Sequence, residues 1–251
     1  MTTSAMPASS IAAFFDIDGT LVPAPSWEKR FFSGLRHSGA IPVWNYWAWL
    51  TEAIRLMPQG IAAMRGANKR YLQGISADRV FELMGTISFY EEAVEQIAVH
   101  VRHEHIVVLL SGTLEVLAQI AATALECELQ ALGLQTSVLI RATCLVEVRG
   151  HWTGRVADRA MQGEEKSRAI KQLVQKKRLD SAQCYAYGNS LMYRAMLSSV
   201  GRPQVVNPGR DLAALANRCD WPIWHWHHRK TMISPSFSRV ETKIQRTESH
   251  A

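Results

Sequence analysis

Asp16-Ile17-Asp18-Gly19-Thr20 sets two carboxylates two residues apart behind an apolar run, Ile11 to Phe15, and follows them with a glycine that lets the chain turn sharply. A carboxylate can attack a phosphoryl group as a covalent nucleophile, and a second carboxylate nearby can pass a proton to the leaving oxygen and then activate water. A divalent cation on hard oxygen ligands would offset the repulsion between that nucleophile and the phosphate. The plainer reading of the same residues is an Asp-Gly turn after an edge strand. Two further polar clusters also follow apolar runs: Ser111-Gly112-Thr113 after Ile106 to Leu110, and Gly188-Asn189-Ser190 after Cys184 to Tyr187. The plainer reading of Ser111 is a helix N-cap, which is compatible with anion binding because a helix start presents free N–H groups. Lys166 stands at the head of a helical pattern, where a solvated lysine is the plain alternative.

The elements that must position these residues are legible as five short apolar runs: Ile11 to Phe15, Ile106 to Leu110, Val138 to Arg141, Cys184 to Tyr187 and Gln204 to Val206. Helical patterns separate the later ones. Leu114 to Leu132 carries apolar residues at helical spacing, and Ser167 to Arg178 places Ala169, Ile170, Leu173 and Val174 on one face. Glu164 and Glu165 open the second helix and Lys176, Lys177 and Arg178 close it, as the helix dipole favours. Alternating strands and helices give an α/β fold with a parallel sheet covered on both faces. Ligands bind such sheets at the carboxyl ends of the strands, so the three polar clusters are expected to converge. Residues 24–87 read as helices broken at Pro42, Pro58 to Gly60 and Gly74, a cap inserted after the first strand. Cys144 to Val156 alternates and turns at Arg149 and Gly150, the pattern of a β-hairpin.

Composition narrows the class. The chain has 251 residues, 47% hydrophobic and 20% charged, enough for a packed domain with an insertion and too apolar for disorder. No repeat is present, so a solenoid is excluded. A net charge of +6 suits an anionic ligand, but the basic residues form no dense stripe with interleaved aromatics, and no nucleic acid is expected. Four separated cysteines without a Cys-x-x-Cys pair indicate reduced thiols rather than a disulfide framework or zinc site. The N-terminal apolar run is cut short by Asp16, which argues against a signal peptide. Ala40 to Leu50 is about half the roughly 20 residues of a membrane span. A cytoplasmic protein without a transmembrane segment is expected.

The four segments in order, Asp16-x-Asp18-Gly19-Thr20, Ser111-Gly112-Thr113, Lys166 and Gly188-Asn189-Ser190, resemble the motifs of the haloacid dehalogenase (HAD) superfamily. The helical insertion resembles that of its subfamily IB, which contains phosphoserine phosphatase. Thr153-Gly154-Arg155, Gly163-Glu164-Glu165-Lys166 and Val205-Val206-Asn207-Pro208 are similar to that subgroup, and the likeness covers roughly residues 11–224. It implies a HAD-like Rossmannoid core over 11–23 and 88–224, a helical cap over 24–87, and a tail over 225–251 that reads as disordered. It also implies Asp16 as nucleophile, Asp18 as general acid and base, and Lys166 as the countercharge on the transferring group. Ser111 and Gly112 would bind phosphate oxygens. Asp16, the Asp18 carbonyl and Asn189 would hold Mg²⁺.

Two positions depart from the pattern. The fourth motif ends on Tyr193 where the family carries an aspartate that helps fix the metal shell and the lysine, a loss expected to weaken metal affinity by about 10–100-fold. Pro25 stands where phosphoserine phosphatases place a glutamate for the substrate's ammonium group, which disfavours phosphoserine. The cap instead carries Trp44, Tyr46, Trp47 and Trp49. Trp44 and Trp47 share a helix face and read either as cap core or as a wall for an apolar or lipid-like phosphate ester at a membrane surface. His100, His103 and His105 read as a solvated helix end. No site is assigned to Trp224 through His228. The expected activity is Mg²⁺-dependent hydrolysis of a small organic phosphate monoester. The alternative is a silent module of the same fold that binds phosphate or another protein.

Overall fold

The computed structural model describes residues 10–60, 64 and 66–233. Its strands in chain order are β1 (Ala12–Phe15), β2 (Thr86–Tyr90), β3 (Ile106–Leu114), β4 (Leu139–Thr143), β5 (Leu145–Val148), β6 (His151–Val156), β7 (Tyr185–Gly188), β8 (Arg202–Val206), β9 (Ile223–Trp224) and β10 (Arg229–Ile233). Six of these form one sheet in the order β4-β3-β1-β7-β8-β9, with every neighbouring pair parallel. All four residues of β1 are fully buried. Ala13 and Phe15 pack on one face of the sheet and Ala12 and Phe14 on the other. Burial on both faces explains why this strand reads as a continuous apolar run rather than an alternation.

Helices cover both faces, as an all-parallel sheet requires. Ile97 of the Glu91–Arg102 helix and Leu117, Ile120 and Ala121 of the Glu115–Ala131 helix pack on the first face. Ile170 and Leu173 of the Glu164–Lys177 helix join Leu212 and Leu215 of the Arg210–Arg218 helix on the second. The α/β class expected from the sequence is therefore the one observed.

Between β1 and β2 the regular elements among the described residues are helices. Helix α1 (Trp27–His37) buries Trp27, Phe31 and Leu35, one residue per turn, and Ser26 caps it by accepting from the Lys29 N–H at 3.4 Å. Helix α2 (Val43–Leu56) follows, then single turns at Met57–Gln59 and Arg70–Leu72 and a short helix at Asp78–Leu83. The β5–β6 hairpin turns through Arg149 and Gly150, both at positive φ (51° and 76°), which matches the right-handed twist of its strands. It clips onto the cap by paired backbone bonds, Gly74 N–H to the Trp152 carbonyl at 2.8 Å and Trp152 N–H to the Ile75 carbonyl at 2.9 Å. Gly154, at φ 70°, lies so close to the Lys69–Arg70 backbone that an added Cβ would stand 3.0 Å from it.

Two expectations are corrected. The end of the insertion is a strand, and the start of the supposed disordered tail is its partner: β2 pairs antiparallel with β10 from Thr86–Ile233 to Tyr90–Arg229. Trp226 is 4% exposed and both its N–H and its carbonyl are held by the Asn207 side chain, at 2.9 and 3.0 Å. Residues 234–251, the remainder of that tail, lie outside the described residues. No helix among the described residues is long and apolar enough to cross a membrane.

Candidate active site

Asp16 is the first residue past β1, fixed there by its N–H bond to the Tyr187 carbonyl at 3.0 Å. Its carboxylate is fully buried, accepting from Thr20 Oγ1 at 3.2 Å on one oxygen and from Lys166 Nζ on the other. Lys166, in the first turn of the Glu164–Lys177 helix, is equally buried and forms an ion pair with Asp16. Burial pushes the Asp16 carboxyl up and the Lys166 ammonium down, and each charge opposes the other's shift. The plain reading of Lys166 as a solvated helix lysine is thereby excluded.

Asp18 Oδ1 accepts the Trp27 N–H at 2.7 Å, tying the second carboxylate to the start of α1. Burial raises its pKa to about 6 despite that bond, and the charges of Asp16 and Glu28 add to the rise. Two carboxyls at the end of one strand thus differ in environment, one paired with a cation and one raised to about 6 without one.

Phe15 stands opposite Leu109, so Ser111 and Gly112 lie on β3 one and two residues beyond the level at which Asp16 leaves β1. Ser111 is not the helix N-cap: β3 runs on to Leu114 with an irregular register against β4, and the helix starts at Glu115. The Ser111 hydroxyl accepts from the Thr113 N–H at 3.2 Å, and the Gly112 carbonyl is held by Thr143 Oγ1 at 2.9 Å. The Gln162 side chain lies over Gly112, 2.8 Å from where a Cβ would stand, and reaches Gly66 of the cap. A cavity of about 310 Å³ opens there, lined by Gly66, Ala67, Asp158, Gln162 and Met192 among others.

Asn189 packs directly on Gly19, whose φ of 84° and lack of a Cβ admit it. Its Oδ1 is buried without a hydrogen-bond donor. Among the described residues no group of three or more His, Cys, Asp or Glu is arranged to hold a metal. A buried, unpartnered carbonyl oxygen on a side chain packed against Gly19, in the turn that follows the two aspartates, nonetheless fits a hard cation, which takes oxygen ligands of mixed kind. Tyr193 lies with its ring 3.6 Å from Lys166 Nζ, and the negative charge of Asp16 beside its hydroxyl, then burial, holds the phenol protonated.

Several residues here carried no signal in the sequence. Glu28 accepts from Lys69 Nζ and, at 2.8 Å, from the Tyr71 hydroxyl, forming a mostly buried polar cluster in the cap near Asp18. Only the three-dimensional closure of the cap brings these distant positions together. His100 is not solvated: it is 2% exposed, bonded to the Tyr187 hydroxyl at 2.9 Å and to His105 at 2.8 Å. Trp44 and Trp47 are 80% and 63% exposed, so they are not the core of the cap, and neither lines the cavity beside Gly112.

The haloacid dehalogenase-like hydrolase family matches residues 13–197, from β1 to just past Tyr193. The chain belongs to this family. Over 90% of its length this HAD-like hydrolase is 32% identical to the inhibition of morphological differentiation protein of Streptomyces azureus, covering 83% of that relative. It is 28% identical to a probable phosphatase of Mycobacterium tuberculosis, over 94% of this chain and 84% of the relative. A phosphoserine phosphatase of the same organism is 27% identical over 84% of this chain and 70% of its own. Among solved structures, a protein of unknown function from Bordetella pertussis matches with a TM-score of 0.64 at 19% identity, over 86% of this chain and 98% of that one. An apo phosphoserine phosphatase matches at 0.58 and 16%, over 86% and 93%. At these identities the structural likeness establishes the fold.

Proposed function

We propose that this HAD-family hydrolase is a phosphatase that cleaves a small organic phosphate monoester through an aspartyl phosphate on Asp16. The observation that carries the reading is the buried Asp16–Lys166 pair with Asp18, its carboxyl raised to about 6 by burial, two residues on. An Asp16 oxygen attacks phosphorus as the ester P–O bond breaks, and Asp18 gives its proton to the departing alkoxide oxygen. Water then attacks the aspartyl phosphate, the now ionised Asp18 accepts its proton, and inorganic phosphate leaves with Asp16 restored. Lys166 offsets charge on the transferring group, and Ser111 and the Gly112 N–H take its oxygens.

Asp16, the Asp18 main-chain carbonyl and Asn189 Oδ1 would hold Mg²⁺. When bound, the cation neutralises the phosphate's charge against the attacking carboxylate. The unpartnered Asn189 oxygen supports this assignment. Tyr193, in place of a metal-binding acid, favours the alternative of a silent phosphate-binding module. A screen of phosphate monoesters on the purified protein, with Mg²⁺ and with EDTA, separates the two. The proposal expects metal-dependent phosphate release that Asp16→Asn abolishes, whereas release unaffected by that substitution would refute it.

A further inference from the structure

Helix α2 is amphipathic in the wrong sense for a cap helix. At about 100° per residue, its inward arc carries Asn45, Ala48, Glu52 and Leu56, while the outward arc carries Val43, Trp44, Trp47, Leu50, Ile54 and the following Met57. Those six are 69%, 80%, 63%, 45%, 60% and 64% exposed. Polar groups, by contrast, are used to attach the helix: Asn45 Nδ2 donates to the carbonyls of Tyr71 and Gln73 at 3.1 and 2.7 Å, and Glu52 faces Arg55 and Arg70. Thr51, the polar residue within the outward arc, turns its hydroxyl back onto the Trp47 and Ala48 carbonyls at 3.1 and 3.0 Å, so its hydrogen-bond donor needs no water. An exposed apolar surface of this extent marks a binding face.

We infer that α2 is an interfacial helix that seats the cap on an anionic lipid surface. The apolar arc spans roughly 140° of the helix circumference, a convex ridge that sinks into the headgroup–acyl boundary more readily than it mates with a flat protein face. Tryptophan and tyrosine favour that boundary, and α2 carries three of the first and one of the second. Charge decides between a bilayer and a second copy of this chain. Residues 24–87 hold eight Lys and Arg against four Asp and Glu, most of the protein's positive excess. Two such caps face to face would repel, while anionic headgroups would be attracted. Of the cap's basic side chains, Arg36 is exposed at the end of α1, and Arg55, paired with Glu52, is exposed in the last turn of α2.

The test is co-sedimentation of the full chain with vesicles of phosphatidylcholine alone and of phosphatidylcholine with a minor fraction of phosphatidylglycerol. The inference expects binding to the anionic vesicles, weakened by salt and on pure phosphatidylcholine. Trp44→Gln/Trp47→Gln is expected to bind the same vesicles at least about tenfold more weakly with an unchanged melting temperature, since both side chains are in solvent. Absence of wild-type binding, or equal binding by the double variant, would overturn it. So would a wild-type dimer in sedimentation velocity that the double variant dissolves without any vesicle binding, which would assign the ridge to a second copy. The assay needs no turnover, so its failure leaves the phosphoryl chemistry standing.

Discussion

The Lys166 ammonium lies 3.6 Å from the centre of the Tyr193 ring. A cation–π contact with a phenol thus holds the lysine where the family's motif supplies a carboxylate, and the same phenol hydrogen-bonds Asp16. Under the proposed Mg²⁺ assignment, Tyr193 keeps a contact with the buried pair but supplies no negative charge beside the ion. Tyr193→Asp is therefore expected to lower the Mg²⁺ concentration for half-maximal phosphate release by about 10–100-fold. A Mg²⁺ titration of the two proteins checks this, and an unchanged or higher requirement would mean that the tyrosine is not what limits metal affinity.

Removing one member of the Asp16–Lys166 pair leaves the other charge buried without a partner. Lys166→Met is expected to cost about 3–5 kcal/mol of stability. Adding Asp16→Asn to it should recover much of that loss, because the double variant leaves neither charge of the pair buried alone. Denaturant melts of the two single variants and the double variant measure the coupling, and additive losses would contradict it.

In the proposed mechanism Asp18, with its pKa raised to about 6 by burial, serves as an acid only while it keeps its proton. With an alkyl phosphate, whose leaving oxygen needs that proton, kcat/KM is expected to fall as pH rises through about 6. With p-nitrophenyl phosphate, which leaves without help, the fall should be much weaker. Identical pH profiles for the two esters would remove Asp18 from the donor role.

Burial lowers the His100 pKa to about 4, well below its unfolded value. The unfolded chain then binds a proton that the folded chain refuses, so stability is fully present above about pH 6.5 and is lost as pH falls toward 4. Melting temperature followed over that range should show the loss, and His100→Phe should flatten it. A variant with the wild-type slope would place the titrating group elsewhere.

The sheet and its polar clusters were legible because the apolar runs in β1, β3 and β7 are buried on both faces and give way to chemically distinct residues. Asp16, Asp18, Ser111 and Asn189 all follow such runs. The pairing of β10 with β2 was not legible: Arg229 and Lys230 give an edge strand no apolar signature, and its partner lies far back in the chain. The Glu28–Lys69–Tyr71 cluster was hidden for a similar reason, since its members are joined only by closure of the cap. Periodicity put Trp44 and Trp47 on one face of a helix but could not tell an inward face from an outward one, because α2 attaches itself through Asn45 and leaves its apolar side in solvent.

The central claim is that Asp16 carries the phosphoryl group. Turnover of p-nitrophenyl phosphate quenched into borohydride reduces an acyl phosphate to the alcohol, and peptide mass spectrometry then locates the modified residue. The account predicts homoserine at position 16 in the wild type and none there in the Asp16→Asn variant. Turnover with position 16 still aspartate, or homoserine at another aspartate, would contradict it.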